Sequence, residues 1–228
     1  MADSAHPDAG AIRHHIVVGH PSPASFVHAM ASAYCQVAED NGQPTVIHDL
    51  YGAGFDPVLK EKERPGPGYV QAADVAAEFE RVRAADVLVL AFPIWFGLPP
   101  AIIKGYVDRV LGADFAAANL VAGTPNPGLV GKQLVILSSS ATTRPWLEAK
   151  GQYSALRHAF DLYLTDIFGM RGAKRVHFDA IVPHTGATYI KQCLEETRRQ
   201  ARIICANLLG ERHAAQARAA LNRQRQGE

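Results

Sequence analysis

Two large aromatic residues, Trp95 and Phe96, stand in the stretch Ala91-Phe92-Pro93-Ile94-Trp95-Phe96-Gly97-Leu98-Pro99-Pro100-Ala101, between an apolar run and a helical pattern. Core packing alone does not put two such rings on a connecting loop. They suit a flat heteroaromatic ring, against which stacking contributes about 0.5–1.5 kcal/mol beyond the area it buries. Backbone amides of the same loop would reach the ring edge, and Gly97 lets the chain pass close to whatever lies beside it. A second stretch, His20-Pro21-Ser22-Pro23-Ala24-Ser25-Phe26, ends where a helix begins. Free N–H groups near Ser25, Phe26 and Val27 and the positive end of the helix dipole converge there. A phosphate would be satisfied by those amides and the Ser25 hydroxyl, with His20 and Ser22 close by. Taken alone, Ser25 is an ordinary N-cap.

These loops need strands to hold them. Ile16-Val17-Val18 reads as a buried strand ending at Gly19, and a helix follows from Ser25 to Asp40 with Phe26, Met30, Ala33 and Val37 at helical spacing. Thr45 to Leu50 is the second strand, and Ala72 to Ala84 the second helix. Asp86 to Phe92 is nearly all apolar, as a central strand covered on both faces requires. Helix Ala101 to Leu111, strand Lys132 to Leu137, helix Tyr153 to Phe168, strand Arg175 to Val182 and helix Ala187 to Leu209 complete the alternation. Five strands alternating with five helices imply a parallel sheet with right-handed crossovers. The loops Gly19 to Ser25, Pro93 to Pro99 and Ser138 to Lys150 then leave the carboxyl ends of strands 1, 3 and 4, which are neighbours in a doubly wound sheet. Tyr51 to Gly68 is the longest irregular stretch of the first half, either a lid-like loop or a solvated connector.

Composition limits the partners. The 228 residues are 48% apolar and 20% charged, and the net charge of +1 lacks the basic excess that nucleic acid requires. No apolar run is long enough to span a bilayer, and Met1 to Ala11 does not resemble a signal peptide. Cys35, Cys193 and Cys205 are widely spaced, form no metal-ligand pattern and read as small buried residues of a reduced, cytoplasmic protein. The expected layout is a flexible segment over 1–12, a single domain over 13–210, and a tail or helical extension over 211–228.

The first stretch, together with Phe92 to Ala101 continued by Ile102-Ile103-Lys104-Gly105-Tyr106-Val107-Asp108-Arg109-Val110, resembles the flavodoxin-like NAD(P)H:quinone oxidoreductase family. That family includes the mammalian quinone reductases, the bacterial modulator-of-drug-activity reductases and, more distantly, the azoreductases. The resemblance implies an α/β, flavodoxin-like fold: a five-stranded parallel sheet of order 2-1-3-4-5 with helices on both faces. It also implies FMN or FAD as cofactor, NAD(P)H as co-substrate, a small quinone or other aromatic acceptor, ping-pong hydride transfer and a homodimer. His20, Ser22, Ser25 and Phe26 would cradle the flavin phosphate, and Pro93, Ile94, Trp95, Phe96 and Gly97 would line the isoalloxazine. Ser140, Ala141 and Thr142 stand where the family has Thr-Thr-Gly-Gly at the far ring edge, so the two glycines are replaced. Tyr153 and His158 have about the spacing of the family's active-site tyrosine and histidine. A second reading is a flavin-binding ancillary subunit that regulates a membrane transporter. A one-electron carrier would instead be strongly acidic.

Overall fold

The computed structural model describes residues 10–226. Its strands are β1 (His14–Val18), β2 (Thr45–Asp49), β3 (Val87–Pro93), β4 (Gln133–Ser139) and β5 (Arg171–Phe178). They form one parallel sheet in the order β2-β1-β3-β4-β5, as expected. The helices are α1 (Phe26–Asp40), α2 (Ala73–Ala84), α3 (Ala101–Tyr106), α4 (Ala117–Val121), α5 (Arg144–Ala149), α6 (Gln152–Leu156), α7 (Tyr163–Phe168) and α8 (Ala187–Gln226). Wider π-helical turns continue α3 through Val107–Leu111 and join α6 to α7 through Arg157–Leu162. Among the described residues no helix is long and apolar enough to cross a membrane.

β3 shows why the alternation works. Val87, Val89 and Ala91 face one core with Met30 and Tyr34 of α1 and Ile204 of α8, while Leu88, Leu90 and Phe92 face another with Ile103 and Tyr106 of α3 and Phe160. A strand buried on both faces is a continuous apolar run, and that is how it reads in the sequence.

The structure corrects several boundaries. β1 begins at His14, two residues before the apolar run, because its two histidines are buried with polar partners: His14 bonds Tyr34 and Gln43, and His15 bonds Glu78. β5 lies four residues earlier than expected at both ends. Gly169 (φ 66°) ends α7, Arg171 N–H then donates to Lys132 O, and the first half of this edge strand is largely exposed, so it carries no apolar signature. The stretch 138–150, read as a loop, contains α5, and α4 lies in the connection between Leu111 and Lys132. α8 runs without a break through Gly210 to Gln226, and its Arg212 donates to Asp86 at the amino end of β3. Of the segment 1–12, residues 1–9 lie outside the described residues, and Ile12 is buried. Cys193 and Cys205 are buried and Cys35 is half-buried beside Thr45.

Two charged networks hold the elements in place. Glu78 of α2 is 1% exposed. It accepts from His15 of β1 (2.6 Å), His48 of β2 (2.7 Å), Tyr106 of α3 (2.9 Å) and Arg81 (2.8 Å). Burial pushes its carboxyl up, but the bonds from His15 and His48 outweigh it and hold the group well below the usual carboxylate range. Arg109, buried in the turn after α3, donates to Glu63 and Asp74 and to the Asp56 carbonyl. This pins the connector 51–68 onto the domain. Gly105 completes the clamp, because a Cβ there would lie 2.3 Å from the Pro57 carbonyl oxygen.

Removing the Glu78 carboxylate strands the donors of His15, His48 and Tyr106 in the interior. Glu78→Ala is expected to lower the unfolding free energy by about 3–5 kcal/mol, and the isosteric Glu78→Gln by about 1–3 kcal/mol. Urea unfolding at pH 7 measures both, and a loss below about 1 kcal/mol for the alanine variant would contradict this account.

Candidate functional site

The three loops that leave β1, β3 and β4 meet at the carboxyl edge of the sheet, tied by backbone bonds past the strand ends. Gly19 N–H donates to Ala91 O (2.9 Å), and Ile94 N–H donates to Ser139 O (2.7 Å). Gly19 is a point of close approach, since a Cβ there would fall 2.5 Å from Ile103 Cγ1. The ring of His20 lies 5.8 Å from that of Trp95, which brings the first loop against the second.

In the first loop Ser25 caps α1, its hydroxyl accepting from His28 N–H (3.3 Å). The N–H groups of Phe26 and Val27 have no acceptor among the described residues, as the first turn of a helix dictates. The Phe26 side chain packs edge-on against Phe178 (5.7 Å), so this residue offers the site its amide rather than its ring. Ser22 is exposed and its N–H donates to His20 Nδ1 (3.0 Å). Burial lowers the His20 pKa, and this bond to Nδ1 fits a neutral ring.

The second loop is a two-residue turn in which Trp95 and Leu98 exchange backbone bonds (Trp95 N–H to Leu98 O, 3.0 Å; Leu98 N–H to Trp95 O, 3.1 Å). Its central residues Phe96 (φ 49°) and Gly97 (φ 84°) both have positive φ, the requirement of a type I′ turn. Phe96 is fully exposed and Trp95 is 41% exposed, while the side chains of Pro93 and Ile94 are buried. The residues named for this wall therefore divide into two exposed aromatics and a buried base. Gln152 at the start of α6 holds the turn, donating from Nε2 to Gly97 O (2.9 Å). It also occupies the space beside Gly97, where a Cβ would lie 2.5 Å from the Gln152 amide. Phe96 N–H and Gly97 N–H have no acceptor among the described residues.

In the third loop Ser140 is buried and turned inward. Its hydroxyl donates to Thr142 O (2.7 Å) and lies 3.2 Å from His177 Nε2. Ala141, Thr142 and Thr143 are exposed and their N–H groups have no acceptor among the described residues. The loop thus presents free amides without the paired glycines of the family pattern. Beneath it, Ser138 Oγ is 3.0 Å from His177 Nδ1 and accepts from Arg175 (2.8 Å). Arg175 in turn makes a bidentate, buried pair with Asp161 (2.7 and 2.5 Å). Burial, followed by the Arg175 charge, holds the His177 imidazole down to about 4, so it is neutral at pH 7.

Tyr153 stands at this edge, its ring 4.8 Å from the Arg144 guanidinium and 5.6 Å from His177. His158 does not join it: it is exposed and its Nδ1 bonds the Ser154 carbonyl of its own helix (2.8 Å). Sequence reasoning missed Gln152, His177, and the pair His28 and Asp49. Only His28 left a local signal, three residues beyond a serine N-cap. Away from the site, His15, His48 and Glu78 bring one ligand atom each within 4.8 Å of one another, a cluster also missed; the four donors on Glu78 account for it as a buried charge network.

Residues 13–203 match the family model described as flavodoxin-like fold. An uncharacterized NAD(P)H oxidoreductase of Haemophilus influenzae is 36% identical over 107 residues, covering 46% of this chain and 53% of the relative. NAD(P)H dehydrogenase [quinone] 1 of Cavia porcellus is 32% identical over 120 residues, 44% of this chain and 43% of the relative. The chain spans about half the length of the curated relatives it matches. The solved structure of general stress protein 14 from Treponema denticola in complex with FMN aligns with a TM-score of 0.57 at 18% identity, over 86% of this chain and 99% of that one.

His177 makes the third loop sensitive to acid. Its folded pKa, lowered to about 4, lies under the ordinary histidine value of about 6.5. The neutral ring therefore contributes stability that is complete above about pH 6.5 and lost as pH falls toward 4, up to about 3 kcal/mol. His177→Asn should be less stable than the native chain at pH 7.5, with that gap shrinking on acidification to pH 4.5. Parallel urea titrations of both proteins test it, and a gap that stays constant would contradict it.

Proposed function

The chain belongs to the flavodoxin-like fold family, and from that premise we propose that it is a flavin-dependent NAD(P)H oxidoreductase acting on quinone-like, azo- or nitro-aromatic acceptors. One observation carries this reading. The three loops at the sheet edge present unpaired N–H groups at Phe26 and Val27, at Phe96 and Gly97, and at Ala141, Thr142 and Thr143, beside two exposed aromatic rings. A flavin is a flat ring with acceptor atoms along its edge and an anionic phosphate at the end of a chain, so this donor set fits it.

In this reading the α1 amides and Ser25 bind the phosphate, with His20 beside them. Trp95 and Phe96 line the ring, and the amides of 96–97 and 141–143 meet its acceptor edge. A bound flavin supplies hydride acceptance from a nicotinamide and two-electron delivery to the acceptor that replaces it, in ping-pong order. The protein's part is positional. Gln152 keeps the Phe96–Gly97 turn in shape, and the Ser140–Thr142 bond keeps the opposite loop in shape. Tyr153, held between Arg144 and His177, offers a hydroxyl at the mouth. Phe96 and Leu98 are exposed apolar side chains at this edge, and a second subunit of a homodimer would cover them.

Protein reconstituted with FMN or FAD should retain flavin absorption after gel filtration and oxidise NAD(P)H when a quinone is added. Asparagine tolerates positive φ, so Phe96→Asn should keep the turn and the thermal stability while weakening ring binding by roughly 2- to 10-fold, the worth of one lost stacking contact. Absence of both flavin retention and quinone-dependent NAD(P)H oxidation would overturn the reading.

A further inference from the structure

Ser25 does more than cap α1. Its hydroxyl oxygen has two nitrogen neighbours from one residue, the His28 amide at 3.3 Å and the His28 ring Nδ1 at 2.8 Å. The other ring nitrogen, Nε2, lies 3.1 Å from Asp49 Oδ2 at the end of β2. The Asp49 carboxylate also accepts from Tyr51 N–H (3.1 Å). Burial pushes its pKa up, but bonds from the Gly52 amide and His28 prevail and lower it, so it is ionised at neutral pH. Serine, histidine and aspartate thus form one chain of hydrogen bonds ending at the helix N-terminus, with His28 mostly buried.

A hydroxyl has one proton and two acceptor lone pairs, and an ionised carboxylate only accepts. Facing Asp49, Nε2 must carry a proton. If the imidazole is neutral, Nδ1 is an acceptor and the Ser25 hydroxyl donates to it. Ser25 then turns a lone pair outward, which opposes an anion. If the imidazole is protonated, Nδ1–H donates to Ser25 as the His28 amide does, both lone pairs are used, and the hydroxyl proton is free to point outward. The first state suits an empty N-terminus and the second suits a bound phosphate oxygen.

We propose that His28 is a positioning residue for the phosphate subsite: occupation of the α1 N-terminus by a phosphate group draws a proton from solvent onto His28, which turns the Ser25 hydroxyl into a donor. The phosphate is taken as that of the flavin, so the inference rests on the reading above. The titratable groups that face His28 are Asp49 from β2, which favours the proton, and His20 from the first loop, whose ring centroid is 6.4 Å away. His20 is neutral and does not compete for the proton, since its Nδ1 accepts from Ser22. The bound phosphate adds the negative charge that the empty site lacks.

The test compares FMN and FAD with riboflavin, which has the ring but no phosphate, by fluorescence titration between pH 7 and 9. FMN, a phosphate monoester, is already dianionic there, its second pKa being about 6, and FAD, a diphosphate diester, has no phosphate proton to lose in this range. The Kd of the phosphorylated flavins should rise with pH, by up to about tenfold per unit, while that of riboflavin stays flat. Calorimetry in buffers of different ionisation enthalpy should count about one proton taken up per phosphorylated flavin and none for riboflavin. His28→Gln has no titrating ring, so it should bind FMN with no pH dependence and no proton uptake. A flat Kd for native protein, or the same pH slope in His28→Gln, overturns the proposal. If no flavin binds at any pH, the cofactor reading fails instead. The proton count is then made with inorganic phosphate, where uptake by native protein but not His28→Gln upholds the relay and equal counts overturn it.

Discussion

A single carboxylate, Glu78, sets the geometry of the amino-terminal half. An ionised carboxylate in the interior costs several kcal/mol unless its lone pairs are met. Here they are met by donors from four elements, His15 of β1, His48 of β2, Tyr106 of α3 and Arg81 of α2 itself. Each donor is useful only if its strand or helix arrives at the right height, so the network specifies the positions of these elements relative to one another. That carries directly to the edge of the sheet. Asp49 follows His48 by one residue, and the loop from Gly19 to Ser25 follows β1. The opposite half has a matching device in the buried Arg175–Asp161 pair, which reaches Ser138 and lies under the third loop. The elements that carry the site loops are therefore held by two buried charged networks, one in each half of the sheet.

The segment Lys104 to Val110 has a different role from the aromatic turn that precedes it. Gly105 lets the Pro57 backbone approach, Tyr106 reaches Glu78, and Arg109 gathers Glu63, Asp74 and the Asp56 carbonyl. None of these contacts is with the three site loops. The stretch that resembles a known family most clearly thus combines two functions, a ring-facing turn and a scaffold that anchors the connector 51–68. The anchoring contacts decide between the two forms expected for that connector: its middle is clamped at Asp56, Pro57 and Glu63, and neither a freely solvated linker nor a detached lid describes it.

Legibility in the sequence followed the kind of contact. β3 and β4 were plain because strands covered on both faces are apolar throughout, and the convergence of their loops follows from the sheet order alone. The start of β1 was hidden because His14 and His15 are buried by partners at positions 34, 43 and 78, which no local window contains. β5 was displaced in the reading because an edge strand with an exposed first half has no run to recognise. At the site the same rule holds. Trp95, Phe96 and Ser25 announce themselves by type and position. Gln152 matters through a carbonyl 55 residues away, and the local pair of His28 with Ser25 becomes a chain only through an aspartate 21 residues away.

The Phe96–Gly97 turn shows how stability and function separate at one position. A type I′ turn asks for positive φ at both central residues, and asparagine followed by glycine meets that demand with least strain. Phenylalanine at φ 49° is held in a conformation that costs about 1–3 kcal/mol for a non-glycine residue. Its ring recovers nothing from the fold, since it is fully exposed. Trp95 beside it is also largely outside the core, and the turn is held from below by Gln152 and by the Ile94–Ser139 backbone bond. A rigid support, a strained backbone and an unburied aromatic ring do not together stabilise this chain. They do present an exposed aromatic ring on a fixed backbone, with Trp95 against His20 of the first loop and unpaired amides in the first and third loops.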